Sequence, residues 1–198
     1  MCSETVISKG ITAKQLQIVR AAYDLFKENG FYATGVDLIM RRAQVSKRTM
    51  YSYFVTKNQL ILAVLGHYRN NCQDEINQIL QRPELSSQDK ILAVFENAEK
   101  WFVDTKFHGC LAVNAMAEFA GKDEAIEQAC HQFKVWELDV LRSLCTELGV
   151  QNSAKLAYKL LILLEGMGAI AQFVKQPCLI DIKQLVLQVM DSHTMEQN

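Results

Sequence analysis

The stretch Ser46-Lys47-Arg48-Thr49-Met50-Tyr51-Ser52-Tyr53-Phe54 decides how the rest of this chain is read. Ser46 is of the kind that caps a helix N-terminus, and Met50 and Phe54 follow at helical spacing. A short helix here, of about eight residues, turns Met50 and Phe54 inward. Lys47, Arg48, Thr49 and Ser52 are left to face outward, with Tyr51 and Tyr53 at the edges. Just upstream, Gln44-Val45 is a very short corner, and before it Thr34 or Asp37 starts a short helix with Val36, Ile39, Met40 and Ala43 inward. Further back, Thr12 with Gln15 three residues on has the form of a capping box. It opens a helix with Ile18, Val19, Ala22, Leu25 and Phe26 on one face, stopped by Asn29-Gly30. Phe31 folds back onto that face. Two short helices around a tight corner, crossed by a longer one, form the arrangement that projects its last helix into a major groove. Lysine and arginine on the first turn of that helix donate to guanine edges or phosphates, and serine and threonine donate or accept. On the residues alone, a solvated helical hairpin is the competing reading.

Downstream, Thr56 begins a long helix at Lys57 that runs through Leu60, Ala63, Val64, His67 and Tyr68 toward Ile76, Ile79 and Leu80. Ser86 or Ser87 opens the next, from Asp89 to about Thr105, interrupted by His108-Gly109. A shorter one passes through Leu111, Ala112, Ala115, Met116 and Phe119 and ends near Gly121. Asp123 to Leu148 carries a clean helical period, Ser153 to Val174 follows, Pro177 forbids its continuation, and Asp181 to Met190 makes the last. No strand pattern and no internal repeat is visible. The expected fold is all-α with about nine helices: an N-terminal three-helix helix-turn-helix domain over 1–56, then an antiparallel helical ligand-binding and dimerisation domain over 57–198.

Composition agrees. The 198 residues are 49% apolar and 22% charged with two prolines, typical of globular chains. The net charge of −1 hides an asymmetry: residues 1–57 hold nine Lys/Arg against four acidic groups, and the remainder holds 12 basic against 18 acidic. A basic front end precedes an acidic body. Six cysteines, at 2, 72, 110, 130, 145 and 178, contain no CxxC and fit neither a zinc site nor a disulfide scaffold. No secretion signal is visible, and the most apolar run, Leu160 to Val174, includes Glu165 and Gln172 and falls short of a membrane-spanning length. A cytoplasmic location is expected, with no membrane partner and no cofactor.

The stretch Gly30-Phe31-Tyr32-Ala33-Thr34-Gly35-Val36-Asp37-Leu38-Ile39, followed by Arg42-Ala43-Gln44-Val45-Ser46-Lys47-Arg48-Thr49-Met50-Tyr51-Ser52-Tyr53-Phe54 and Thr56-Lys57-Asn58-Gln59-Leu60, resembles the N-terminal signature of the tetracycline-repressor-like (TetR/AcrR) family. The resemblance covers residues 12–65. It implies a homodimeric bacterial regulator, usually a repressor, that leaves a two-fold-symmetric duplex operator when a small molecule occupies the C-terminal domain. Carried onto this chain, it implies phosphate contacts from Thr34 and Lys57 and places Ser46, Lys47, Arg48, Thr49, Tyr51, Ser52 and Tyr53 in the recognition region. The tyrosines match phosphate-contacting positions, and Arg48 and Thr49 base-reading ones. Two departures stand out: Gly35 where a hydroxyl residue is common, and Arg48 where many members have glycine or alanine.

The helix from Ser153 to Val174 is apolar on nearly every side, more than one domain face absorbs. The family arrangement sets this helix and the last one in a subunit interface, so Leu160, Leu164, Gly168, Ile180, Leu185 and Val189 are expected there; a wholly intramolecular helix is the alternative. Trp101, Met116, Phe119, Phe133, Trp136 and Met167 either line a cavity for an apolar or amphipathic effector or fill the core. Cys110, beside the Gly109 break and at a helix start that favours thiolate, is the candidate for a rival thiol-sensing repressor. His108 with Cys110, and Cys130 with His131, have no recognisable metal-ligand spacing. No nucleophile and base are placed together, and Glu118 with Asp123 or Glu124 reads as part of a solvated helix end, so an enzyme is not expected. A helical sensor or interaction protein keeping the helix-turn-helix only as scaffold is the remaining alternative, against which the Lys47, Arg48 and Lys57 cluster stands.

Overall fold

The computed structural model describes residues 11–104, 107–174 and 180–195. Its helices are α1 Ala13–Asn29, α2 Val36–Arg42, α3 Lys47–Tyr53, α4 Lys57–Leu80, α5 Ser87–Phe102, α6 Leu111–Phe119, α7 Glu124–Glu147, α8 Ser153–Phe173 and α9 Ile182–Met195. No strand occurs among the described residues. The starts follow local chemistry. Thr12, Ser46 and Thr56 each accept, on the side-chain oxygen, the backbone N–H three residues on, at 3.1, 3.1 and 3.2 Å. Ser86 and Asp89 close a reciprocal capping box at the head of α5.

Local expectations fail in a few places. The N-cap of α2 is Gly35, without a side-chain bond, and neither Thr34 nor Asp37 fills that position. α5 ends at Phe102, short of the expected Thr105, and α9 runs on past Met190. At the α2–α3 corner Gln44 takes a left-handed φ of 49°, and the Val45 N–H reaches back to the Met40 carbonyl at 3.1 Å. This six-residue closure ends α2 and lets α3 start at once on a new axis.

Among the described residues, two apolar clusters hold the chain together. The first joins α1, α2 and α3 to Leu60, Ile61, Val64 and Leu65 of α4, then continues into Leu111, Ala112, Ala115 and Phe119 of α6 and Ile126, Cys130 and Phe133 of α7. The second joins α5, the later turns of α7, α8 and α9 through Ile91, Phe95, Leu141, Leu144, Leu156, Leu160 and Val186. The core of the N-terminal head therefore runs unbroken into the body along α6.

Helix α8 departs from expectation twice. It spans 21 residues with a mean hydropathy of 1.4 in its most apolar window, so it is long and apolar enough to cross a membrane by length and composition, with 17% of that window buried. It is nonetheless anchored in the second cluster by Leu156, Ala157 and Leu160, all fully buried. Leu160 is thus a core residue of its own subunit and has no surface to offer a partner. The apolar surface that remains is a stripe at helical spacing, with Tyr158, Ile162, Ile170 and Phe173 exposed. Ile180 is exposed too, while Leu185 and Val189 are half-buried on α9. The expected stop at Pro177 lies outside the described residues.

Candidate nucleic-acid interface and body cavity

Met50 and Phe54 are buried, which turns the opposite face of α3 to solvent. Ser46, Lys47, Arg48, Tyr51 and Ser52 are exposed there, and Thr49 is half-exposed. The hydroxyls are already engaged: Ser46 and Thr49 hydrogen-bond each other at 2.9 Å, and Ser52 donates to the Thr49 carbonyl at 2.8 Å. Among the described residues Lys47 and Arg48 make no ion pair. Two adjacent cations on a rigid first turn are what a phosphate or a guanine edge requires. Tyr53 is half-buried and packs on the first cluster.

The phosphate role expected of the Thr34 side chain fails. Thr34 is fully buried, and its hydroxyl donates to the Gly30 carbonyl at 2.7 Å and the Leu25 carbonyl at 3.2 Å. It closes the C-terminal carbonyls of α1 and has no face toward a ligand. Lys57 fits better. It opens α4, where unpaired amides and the helix dipole favour an anion, and its ammonium reaches the Tyr32 carbonyl at 3.4 Å. Burial lowers its pKa, while the Glu118 carboxylate opposes that shift.

The connection between head and body was not legible in the sequence. The loop after α1 hangs on Glu118 of α6, whose two carboxylate oxygens accept the backbone N–H groups of Phe31 at 2.8 Å and Tyr32 at 2.7 Å. The rings follow: Phe31 meets Phe119 edge-on at 5.9 Å and Tyr32 stacks on it at 5.0 Å. A second tie runs from the Asn58 amide to the Asp123 carboxylate at 2.7 Å. Glu118 looked like part of a solvated helix end because its partners lie 86 and 87 residues away.

In the body, α4, α5, α7, α8 and the start of α6 enclose a cavity of about 170 Å³. It lies where the two apolar clusters meet. Of the six residues expected to line it, Trp101 and Trp136 do. Met116, Phe119 and Phe133 belong instead to the first cluster and Met167 packs on the second. Leu164 and Gly168, expected at a subunit interface, face this cavity, and a Cβ on Gly168 would meet the Phe102 ring at 3.3 Å. The wall also carries groups that aromatic patterning does not reveal: Glu75, Asn97, Lys134, Glu137 and Glu165. Lys134 bonds Glu137 and Glu165 at 2.7 Å each. Burial raises the Glu137 pKa, with Lys134 pulling it back and Glu165 adding to the rise. Burial works against the Lys134 charge, but the Cys110 thiol and both carboxylates around it outweigh that and move its pKa up.

Cys110 is the N-cap of α6, half-exposed, lines this cavity and accepts a hydrogen bond from the Tyr68 hydroxyl at 3.6 Å. Burial holds the other described thiols protonated, pushing Cys130 and Cys145 up to about 11 and Cys72 higher still. Cys2 and Cys178 lie outside the described residues.

Comparison with known proteins agrees with this geometry. Residues 18–64 match the sequence profile of the family described as bacterial regulatory proteins, tetR family. The HTH-type transcriptional activator FasR of Mycolicibacterium smegmatis is 35% identical over 80 residues, which is 40% of this chain and 36% of that protein. The HTH-type transcriptional repressor NemR of Escherichia coli is 27% identical over 103 residues, 52% of each chain. The chain thus spans about a third to a half of the length of these curated relatives. The crystal structure of SCO4454, a TetR-family transcriptional regulator from Streptomyces coelicolor, superposes with a TM-score of 0.81 at 22% identity, covering 92% of this chain and 95% of that one. Residues 18–64 thus carry the tetR-family sequence signature, and the chain shares the all-helical fold of SCO4454 along nearly its whole length.

Proposed function

We propose that two copies of this chain bind an inverted-repeat duplex operator and repress from it, and that an apolar or amphipathic small molecule in the body cavity releases them. The observation that carries this reading is the outward face of α3, where Lys47 and Arg48 are exposed and without an ion pair among the described residues. Residues 1–56 act as the reading head and 57–198 as the regulatory body, working in the cytoplasm where the operator is. The exposed stripe of Tyr158, Ile162, Ile170 and Phe173 supports pairing, since a partner's α8 and α9 would cover it in a four-helix contact. Repression is the family's usual mode, and the activator FasR among the relatives marks the alternative.

The cavity acts through α6. Its first turn, with Cys110 and Val113, is cavity wall, and its last turn holds the Phe31–Tyr32 loop through Glu118 and Phe119. A ligand releases DNA only by binding the DNA-incompetent arrangement more tightly than the competent one. Displacing a rigid α6 by an ångström or two would re-aim each head and spoil simultaneous entry into two grooves. Selection of bound sequences from random duplex DNA, followed by footprinting, tests the reading. Protection of half-sites centred roughly 34 to 36 Å apart, or a modest multiple, is expected. Protection of one asymmetric half-site by a monomer would overturn it.

A second reading makes Cys110 the sensor, favoured by its place in the cavity wall beside the Tyr68 hydroxyl. Operator release by mild peroxide in wild-type protein but not in Cys110→Ser, with no hydrophobic compound effective under reducing conditions, would establish it in place of the ligand model.

A further inference from the structure

The cavity that the proposed function assigns to an effector has a chemical bias of its own. Among the described residues lining it, three carboxyl groups, Glu75, Glu137 and Glu165, stand against one ammonium, Lys134. That ammonium is fully engaged between Glu137 and Glu165 at 2.7 Å each. Glu75 is different. Its Oε2 accepts from the Trp101 indole N–H at 3.1 Å and from the Asn97 amide at 3.3 Å, both neutral donors. Those two bonds hold the carboxylate in place without cancelling its charge. It stands on α4, and Asn97 and Trp101, one turn apart on α5, face it across the wall.

The wall that carries this carboxylate is largely aromatic, with Tyr68, Trp101, Phe102, Phe107 and Trp136 contributing rings. Aromatic faces attract cations through the ring quadrupole, most strongly where water is excluded, and a fixed carboxylate in the same wall adds a direct charge partner. An anion would meet the opposite field, because the one ammonium is already shared by two carboxylates. A neutral apolar molecule would leave Glu75 desolvated and without a counter-charge. The volume of about 170 Å³ suits a single-ring body, comparable with an engineered cavity of roughly 150 Å³ that takes benzene.

We infer that the effector class of this cavity is a compact organic cation, an ammonium group joined to one aromatic or similarly sized apolar body, with its charge set against Glu75 and its body among the rings of Trp101, Trp136 and Phe102. The inference rests on the reading of the cavity as the effector site. It adds the sign of the ligand's charge and names Glu75 as the specificity-determining residue.

Three probes of similar shape test it: benzyltrimethylammonium, its uncharged carbon isostere neopentylbenzene, and phenylacetate. Binding to full-length protein is read by tryptophan fluorescence, since both tryptophans, Trp101 and Trp136, line the cavity. In wild-type protein the cation is expected to bind at least about tenfold more tightly than the neutral isostere, and phenylacetate most weakly. In Glu75→Gln, which keeps an oxygen for Trp101 and Asn97, the preference for the cation over the isostere is expected to fall to about threefold or less. The wild-type comparison needs no variant, so a misfolded Glu75→Gln would not shield the proposal. Equal or tighter binding of the neutral or anionic probe overturns the cation class while leaving the cavity as an effector site. Saturable binding of the cation without loss of operator affinity leaves the class standing and overturns the effector reading. No saturable binding of any probe overturns both.

Discussion

Glu118 holds the Phe31 backbone N–H at 2.8 Å, a bond between residues 87 apart in sequence, and through it the N-terminal head hangs on a helix of the body. The second oxygen takes the Tyr32 N–H, so one carboxylate satisfies two successive amides of the loop. Gly30 makes the approach possible. It turns the chain with φ of 82°, and a Cβ there would stand 3.1 Å from the Glu118 Oε1. Head orientation and α6 position are therefore coupled by a charge-assisted contact as well as by ring stacking.

Replacing Glu118 by alanine should separate the two. Two charge-assisted bonds to a half-buried carboxylate are lost, which should lower stability by about 1.5–3 kcal/mol. The more specific expectation is that operator affinity becomes insensitive to a ligand that still binds the cavity. Calorimetric melting and operator titrations with and without ligand check both, and an unchanged ligand response would show that the signal does not pass through Glu118.

The residues of the head should sort by what they touch. Arg48→Ala should change relative preference at one or two base positions, whereas Lys57→Ala should weaken specific and scrambled duplexes alike and reduce the salt slope by about one unit. Thr34→Val should leave that slope unchanged and instead cost about 1–2 kcal/mol of folding stability, because its hydroxyl serves the end of α1. Competition binding at two salt concentrations, beside thermal melts, distinguishes the three.

On α8 the two faces should answer differently. Ile162→Glu, on the exposed stripe, should shift sedimentation toward the monomer with little change in the melting of the isolated subunit. Leu160→Ala should destabilise each subunit by about 2–5 kcal/mol, since it empties a fully buried position. A monomeric wild type in sedimentation would remove the basis for the first expectation.

The Lys134 cluster should make stability depend on pH in a stated direction. Burial already raises the Glu137 pKa and Lys134 opposes the rise, so Lys134→Met should raise it further. A carboxyl whose folded pKa exceeds its unfolded one stabilises the protein while protonated, and that contribution is lost as pH climbs from the unfolded value through the folded one. The variant's deficit against wild type should therefore be larger at pH 8 than at pH 5, by about 1–3 kcal/mol given the partial exposure of the groups. Melting curves at the two pH values provide the measurement, and a deficit independent of pH would contradict the account.

Much of the fold was legible because its signals act over three or four residues. Ser46 and Thr56 cap the helices they were expected to cap, Gly30 stops α1, and Met50 and Phe54 point inward. Thr34 was misread for an equally local reason. A hydroxyl near a helix start resembles a phosphate ligand until the end of the previous helix is seen folding back over it.

What the sequence by itself determined is the helix-turn-helix and its outward basic face, since helical period and capping need no partner from elsewhere in the chain. Tertiary structure alone decided which side of α8 is core, which of the body's aromatic residues enclose a cavity, and that Glu118 holds the head. An apolar residue satisfies periodicity equally well in a core, a pocket wall or an interface, and only the packing of α4, α5, α7 and α8 distinguishes Trp101 from Phe133. A carboxylate such as Glu118 reads as a solvated helix end until the fold brings two backbone amides to it from 86 and 87 residues away.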